Sequence, residues 1–218
     1  MEWALALYGE LNVPRVWIPE QAFVDAARAD QSLTFTRKSK NGTFGLAMGP
    51  QPVVFSHWDE FAIPQDADRH IAGESTFHDN WEVHALATSS RSYEIEPLED
   101  DEFITHFLAT HAPKSSAQPG NPEIQFWGSV RNSAGEIAAI AAITEWESGE
   151  KMLSSVATHT DMRGQGFAQK VCSGIVGLAF DRGIDRINLV VLSSNAPAIQ
   201  AYSKIGFTCI GKFSSFSR

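Results

Sequence analysis

Residues 153–168 constrain the fold of this 218-residue chain more than any other stretch. The segment Leu153–Ala168 is typical of a strand that runs through a glycine-containing turn into the start of a long helix. The first N–H groups of a helix have no intrahelical partner, and Gly164 and Gly166 carry no side chain to keep an anion away from them. The sequence therefore predicts an anion cradle in which a pyrophosphate could rest on bare backbone.

The helix after this turn is well specified by its apolar spacing. Gly183 stands just beyond its predicted end as a stop signal. Two familiar phosphate motifs fail on the same residues, because a P-loop needs Gly-Lys-Ser/Thr and the dinucleotide fingerprint needs a third glycine where Gln169 stands. The predicted cradle is therefore of another kind. One core face is formed by residues at three- and four-residue steps: Phe167, Ala168, Val171, Cys172, Ile175, Val176 and Ala179.

Two short motifs in this part of the chain resemble the signatures of one enzyme superfamily. Arg163-Gly-Gln-Gly-Phe-Ala168 resembles the Arg/Gln-x-x-Gly-x-Gly/Ala signature of the GNAT superfamily of acyl-coenzyme A-dependent N-acetyltransferases. Asn195–Phe207 resembles the family's second signature, an Asn, a short helix with Ala and Tyr, then Gly-Phe. Both motifs occur in the family's order and at about its spacing. The resemblance covers roughly residues 92–218 and leaves residues 1–91 unexplained.

The resemblance implies an α/β (α+β) mixed sheet with helices on both faces for residues 92–218, in the GNAT acyltransferase arrangement. The apolar patterns predict the order strand, helix, strand, strand, strand, long helix, strand, short helix, strand. Glu123–Val130 and Glu136–Trp146 are expected to form an antiparallel hairpin whose second strand is buried on both faces. The strand before Arg163 and the strand Ile187–Leu192 should splay apart to admit the cofactor, as the resemblance implies.

The resemblance also implies acetyl-coenzyme A as the acyl donor, although the sequence does not fix whether the acyl group is acetyl or longer. Backbone N–H groups of the strand before the turn would polarise the acyl carbonyl and bind the pantetheine arm. Asn195 has two compatible roles, capping the helix that Pro197 helps to start and contacting the cofactor arm. The expected cofactor-binding residues are Val156, Ala157, Thr158, Arg163, Gly164, Gln165, Gly166, Phe167, Ala168 and Asn195.

The implied reaction is direct attack of a primary amine on the thioester through a tetrahedral intermediate. Tyr202 occupies the position of the family's usual general acid, and a phenol with a pKa of about 10 is still protonated near neutrality; the alternative is a packing role alone. An alkyl amine must lose a proton, so a base is expected near the acceptor. Glu145 is our candidate, with Glu147 and His159 as alternatives. A non-catalytic acyl-coenzyme A sensor remains the competing function.

Composition limits the partners and the location of the protein. The net charge of −9 and the lack of a Lys/Arg run argue against nucleic acid or an anionic membrane and favour a positively charged acceptor, either a small amine or a peptide or protein amine. The sequence leaves a homodimer open. The N-terminus lacks the features of a secretory signal, and the longest apolar run, Ile137–Ile143, is too short to span a bilayer, so we expect a cytoplasmic protein.

Residues 1–91 are predicted to form a separate α/β region ahead of the acetyltransferase domain at residues 92–218. This region is either a degenerate second GNAT-like half or a cap over the acceptor site, and the residues do not decide between them. A turn is predicted at Lys38–Thr43. The other predicted elements are strands at Trp3–Tyr8, Leu33–Thr36 and Val53–Phe55 and a helix at Pro19–Arg28.

This first region also contains five histidines and aspartates that are candidate metal ligands: His57, His78, His84, Asp59 and Asp79. Their spacing matches no zinc or iron pattern. The alternative is that they are surface or hydrogen-bonded side chains. The sequence therefore predicts no metal.

Overall fold

The structure, a computed structural model, describes residues 33–39, 42–48, 60–65, 76–88, 93–146 and 149–217. The predicted elements at Trp3–Tyr8, Pro19–Arg28 and Val53–Phe55 lie outside these residues. The described strands are β1 (Leu33–Ser39), β2 (Gly42–Met48), β3 (Glu60–Pro64), β4 (Thr76–Leu86), β5 (Glu96–Pro97), β6 (Ile124–Arg131), β7 (Ile137–Glu145), β8 (Lys151–Thr158), β9 (Ile187–Leu192) and β10 (Thr208–Ser217). The described helices are α1 (Asp101–His111), α2 (Phe167–Asp181) and α3 (Ala196–Lys204), with one 3₁₀ turn at Thr160–Met162.

The chain divides into two compact units. The central unit comprises Ala85–Leu189 and Pro197–Thr208. The terminal unit comprises the residues up to His84 together with Val190–Ala196 and Cys209–Arg218. Strands β4, β9 and β10 therefore contribute residues to both units. The division into a region 1–91 and a domain 92–218 stays a prediction.

The central unit contains the sheet order β9-β8-β7-β6-β5, starting from the first residues of β9. Strands β6 and β7 pair antiparallel, which confirms the predicted hairpin. Every residue of β7 from Ala138 to Thr144 is buried, as expected for a strand covered on both faces. The order of elements predicted after residue 92 is also confirmed, although β5 is only two residues long.

Helices α1 and α2 lie on opposite faces of this sheet. Trp127 of β6 belongs to the core cluster that α1 forms through Ile104, Phe107 and Leu108. The next residue, Gly128, lies against Ile95 and Ile175, and Ile175 belongs to α2. Because successive residues of a strand face opposite sides of a sheet, the two helices must cover opposite faces. The prediction of a mixed sheet with helices on both faces is therefore confirmed.

Strands β8 and β9 are joined at their beginnings. Among the described residues, their one parallel pair is Met152 with Asn188. The fully buried side chain of Asn188 donates from Nδ2 to Glu150 Oε2 (2.7 Å) and accepts at Oδ1 from Arg186 Nε (3.1 Å). Glu150 precedes β8 and Arg186 precedes β9, so this network fixes the two strand starts together. Such limited pairing agrees with the expected splaying of these strands.

The terminal unit contains the order β1-β2-β3-β10-β4, followed by the later residues of β9. Strands β1 and β2 pair antiparallel with Ser39 opposite Gly42, and residues 40 and 41, at the centre of the turn predicted at Lys38–Thr43, lie outside the described residues. Strand β3 is parallel to β2 and antiparallel to β10. Strand β10 also contacts β4, where the rings of Trp81 and Phe213 stack at 4.9 Å. The two alternatives for residues 1–91, a degenerate second GNAT-like half or a cap over the acceptor site, stay predictions.

The close approach of Gly128 to Ile95 predicts a coupled pair of substitutions. A Cβ at residue 128 would lie 2.5 Å from Ile95 Cδ1 and 2.8 Å from Cγ1. We expect Gly128→Ala to lower the free energy of unfolding by about 1–3 kcal/mol through overpacking. Ile95→Ala alone should cost about 2–5 kcal/mol as a cavity. In urea denaturation, the double variant should lose clearly less free energy of unfolding than the sum of the two single losses. A loss equal to that sum would contradict the contact between residues 95 and 128.

Candidate functional site

The glycine turn between β8 and α2 is open to solvent. Gly164 and Gly166 have φ values of +76° and +81°, a left-handed conformation that glycine adopts without the Cβ penalty. Both residues are exposed, and a Cβ added to either would meet no heavy atom within 4 Å. Buried Phe167 begins α2 directly after them. The turn therefore leaves free space beside the first residues of the helix.

The start of α2 is suited to an anion. Gly166 is the N-cap residue and supplies no side-chain cap, and the first turn of α2 contains no acidic residue. The N–H groups at the beginning of the helix thus retain their capacity to bind a ligand, with the helix dipole favouring negative charge. These backbone groups, rather than a basic side chain, define the candidate anion site.

The side chains of the turn hold its shape. Arg163 donates from Nη2 to the carbonyl of His111 (2.7 Å), and Gln165 donates from Nε2 to the carbonyl of Asp161 (3.3 Å). Thr160 donates its backbone N–H to His111 Nδ1 (3.2 Å). His111, the last residue of α1, therefore accepts two hydrogen bonds that hold the glycine turn. The residues next to it in the sequence gave no indication of this role.

A second histidine lies beside His111. The rings of His111 and His159 are 4.2 Å apart, and His159 Nδ1 accepts the N–H of Asp161 (3.3 Å). Burial, with smaller contributions from His159 and Arg163, lowers the pKa of His111. The neutral form of His111, which can accept the Thr160 N–H, is thus favoured. His159, an alternative candidate for the base, is engaged with the turn.

Strand β8 contains a bulge immediately before the turn. Its pairing with β7 moves two residues along β7, from Ile140 to Ala142, but three residues along β8, from Ala157 to Ser154. Ser155 has φ +50° and is the one non-glycine residue with positive φ in the described chain. The extra residue takes Ser155 and Val156 out of the paired register.

The backbone of Thr158 points away from β7. Thr158 is opposite Ala139, and the following residue, His159, donates its N–H to Ala138 O (2.9 Å). In an antiparallel ladder this pattern turns the N–H and C=O of Thr158 to the other side of the strand. The three residues expected to contact the acyl end of the cofactor thus comprise one bulged residue, Val156, the ladder residue Ala157, and one outward-facing residue, Thr158.

Tyr202 lies near the C-terminal end of α3, in the central unit. Its ring is 6.0 Å from that of Phe207 in an edge-on arrangement, and its carbonyl accepts the N–H groups of Ile205 and Phe207 (both 3.1 Å). Burial, together with the nearby Cys172 thiol, raises the pKa of Tyr202 above its usual range. The phenol is therefore protonated across the neutral pH range.

Asn195 and Glu145 lie apart from the glycine turn along the chain. Asn195 directly precedes α3 and donates its backbone N–H to Leu192 O (2.9 Å). Glu145 lies opposite Lys151 at the first residue of β8 and forms an ion pair with its ammonium group. Thr158 is seven positions after Lys151, which corresponds to roughly 20 Å of strand. Glu145 is thus at the end of β8 away from the turn.

The histidine and aspartate candidates for a metal site are only partly described, since His57 and Asp59 lie outside the described residues. His84 is buried, and its Nε2 is 2.9 Å from Glu82 Oε2. Lys212 Nζ is 3.1 Å from Glu82 Oε1. Burial raises the pKa of Glu82, but the hydrogen bonds from His84 and Lys212 outweigh it and hold the pKa below its usual value. The Sγ atom of Cys209 lies within 4.8 Å of a carboxylate oxygen of Glu82 and a ring nitrogen of His84, so these three side chains form one cluster of potential metal ligands.

Comparison with known proteins identifies the family. Residues 83–207, more than half of the chain, match the model of the acetyltransferase (GNAT) family. The chain therefore belongs to this family and is an acyltransferase. Members of the family generally use acyl-coenzyme A as cosubstrate. No curated protein matched the chain.

Solved structures agree on the fold. A GCN5-related N-acetyltransferase from Kribbella flavida superposes with a TM-score of 0.63 at 14% identity, covering 90% of this chain and 93% of its own. A GNAT-family protein from Novosphingobium aromaticivorans DSM 12444 gives 0.59 at 16% identity, covering 93% and 96%. A GCN5-related N-acetyltransferase from Sphaerobacter thermophilus gives 0.61 at 13% identity, covering 86% and 76%. At these identities the likeness establishes the fold alone.

Among the described residues, the helices lack the length and apolar character needed to cross a bilayer.

The hydrogen bond from Thr160 to His111 predicts a pH-dependent stability. The pKa of His111 is lower in the folded protein than in the unfolded chain. As the pH falls below about 6.5, the His111 imidazole is therefore protonated first in the unfolded chain. The folded protein should therefore lose stability as the pH falls from about 6.5 towards the folded pKa. His111→Asn keeps an acceptor without the titration. Its melting temperature, measured between pH 8 and 5, should fall less than that of the wild type.

His106→Asn serves as the control because His106 is an exposed side chain on the same helix. We expect its pH profile to stay close to the wild type, since His106 makes the smallest of the contributions that act on the pKa of His111. A wild-type profile in the His111→Asn protein would contradict the role given to His111.

Proposed function

We propose that this acyltransferase transfers an acetyl group from acetyl-coenzyme A to a primary amine, by direct attack through a tetrahedral intermediate. The observation behind the proposal is the pair of left-handed glycines, Gly164 and Gly166, with open space beside the uncapped N-terminus of α2. A pyrophosphate fits such a site because backbone N–H groups bind phosphate oxygens without a dedicated side chain. Arg163–Ala168 would hold this part of the cofactor.

The cofactor supplies an acyl group activated as a thioester. We assign its acyl end to the bulged part of β8, where Val156 is outside the paired register and Thr158 faces away from β7. An N–H group fixed in this way can stabilise the negative charge that develops on the carbonyl oxygen. Asn195, before α3, is proposed to contact the pantetheine arm.

Tyr202 is proposed as the general acid that protonates the departing thiolate. The phenol keeps its proton near neutral pH, so that proton is available to the departing thiolate. An alternative in which the ring only packs against Phe207 predicts no effect of removing the hydroxyl.

The acceptor is the least specified part of the proposal. The net charge of −9 favours a cationic amine, carried by a small molecule, a peptide or a protein. Glu145 stays our candidate for the base, but it pairs with Lys151 roughly 20 Å along β8 from Thr158, so it would have to take the proton through a chain of water molecules. The cytoplasmic location, the homodimer and the exclusion of nucleic acid likewise stay predictions.

The proposal predicts acetyl-coenzyme A turnover that depends on the glycine turn. Thiol release should be detected with at least one member of a panel of amines and peptide N-termini. Gly166→Ala should weaken coenzyme A binding by roughly tenfold, equivalent to about 1.4 kcal/mol, in calorimetry. Gly135→Ala is the matched control, since Gly135 also has a left-handed φ (+83°) and open space but lies in the β6–β7 turn.

Both glycine variants should pay a similar backbone cost of about 1–2 kcal/mol in stability. Equal coenzyme A affinity in the two variants would show that the pyrophosphate does not bind at the glycine turn. Tight binding of acetyl-coenzyme A without turnover on any acceptor would instead support the sensor alternative.

The general-acid role predicts that removal of the Tyr202 hydroxyl has a large effect on kcat. Tyr202→Phe should lower kcat by roughly 100- to 10,000-fold at saturating acceptor, because the thiolate loses its proton donor. The affinity for acetyl-coenzyme A and the melting temperature should change little, since the ring is retained. An undiminished kcat, measured where chemistry limits the rate, would leave Tyr202 with a packing role.

A further inference from the structure

Ser155 adopts a backbone conformation that a side chain makes unfavourable. Its φ of +50° is in the left-handed region, and glycine is the residue usually found at this position of such a bulge. Serine at this position adds a hydroxyl group that glycine would lack. Residues held in this way are often found where the structure positions a functional group.

The hydroxyl group of Ser155 makes a reciprocal pair of hydrogen bonds with one residue 38 positions away in sequence. Oγ accepts the backbone N–H of Ala117 (3.0 Å) and donates to the carbonyl of the same residue (2.9 Å). Ala117 is buried, with 4% exposure. A single side chain therefore satisfies both backbone polar groups of Ala117.

Ala117 lies in the middle of the loop between α1 and β6, residues 112–123. The hydrogen bonds on either side of it join loop residues to one another: Ser115 N–H to Ala112 O (2.9 Å) and Asn121 N–H to Gln118 O (3.1 Å). These two turns shape the loop but do not attach it to the sheet. The bonds from Ser155 fix the loop against the bulge of β8.

We infer that Ser155 is a positioning residue for acyl transfer, which sets the distance between the loop around Ala117 and the bulged backbone of β8. The inference rests on the proposed function, in which the acyl carbonyl lies against Val156–Thr158. Because Ser155 Oγ holds the backbone of Ala117 at hydrogen-bond distance, the loop borders the bulge against which that carbonyl is proposed to lie, and it would limit the approach of the amine. The hydroxyl of Ser155 would thus align the acceptor without touching the reacting atoms.

Two substitutions and one neighbouring control test this role. Ser155→Gly removes both hydrogen bonds and relieves the backbone, and Ser155→Ala removes both bonds while keeping the strained φ. Ser154→Ala is the matched control, because Ser154 is the adjacent half-buried serine and its Oγ bonds Thr144 Oγ (2.8 Å) within the sheet. The measurements are kcat, the acceptor KM, coenzyme A affinity, the melting temperature and amide exchange of residues 112–123.

We expect both Ser155 variants to raise the acceptor KM and lower kcat, with kcat/KM falling roughly 10- to 100-fold as for a slightly misplaced reactant. Coenzyme A affinity should stay within about twofold of the wild type. Amide exchange at Ala117 and its neighbours should accelerate in Ser155→Gly even if its melting temperature is unchanged or raised. Ser154→Ala should keep wild-type kinetics and loop exchange.

Three results would overturn the inference. Unchanged loop exchange in Ser155→Gly would show that the hydroxyl does not hold the loop. Faster exchange with unchanged acceptor kinetics would reduce Ser155 to a purely structural residue, as would an equal kinetic loss in Ser154→Ala. A failure of the proposed function is distinguishable, because the wild-type protein itself would then show no coenzyme A binding or no turnover.

Discussion

The buried amide of Asn188 is the interaction on which the central unit depends most. It bonds Glu150 before β8 and accepts from Arg186 before β9, so one side chain ties the starts of both strands. Hydrogen bonds to charged groups are stronger than neutral ones, especially when they are removed from water. Because the strands are fixed at this end, β8 does not need a continuous ladder with β9 to keep its place. Its later residues are then free to present backbone groups to a ligand.

The site derived from this arrangement uses backbone groups more than side chains. In the proposed site, the glycine turn would offer N–H groups to an anion, and the bulge and the outward-facing Thr158 would offer them to a carbonyl oxygen. Such groups are fixed in direction and need no reorganisation during the reaction, provided that the strand itself is rigid. Strand β7 supplies that rigidity: its alanine and isoleucine side chains are buried between α1 and α2 from Ala138 to Ile143.

Much of the central unit could be predicted from the sequence because its signals are local. The spacing of apolar residues in α2, the turn between β6 and β7, and the stop at Gly183 are each contained within one element and its flanks. The bulge at Ser155 could not be predicted, since it depends on the register between two strands. The two adjacent serines inside a buried strand were its one visible sign. His111 was missed for the same reason, as 49 residues separate it from Thr160. The pairing of β10 with β3 likewise has no local signature.

The position of β10 has a consequence for how the chain is made. Strand β3 pairs with β10 across about 150 residues, from Pro64 to Phe213 and from Glu60 to Ser217. During synthesis at roughly 5–20 residues per second, β3 must wait on the order of ten seconds or more for this partner to emerge. The residues matched by the family model, 83–207, are completed before β10 leaves the ribosome. Translation therefore imposes an order in which most of the enzyme's central unit can assemble first, while the edge of β3 stays unpaired and dependent on prompt completion of the chain.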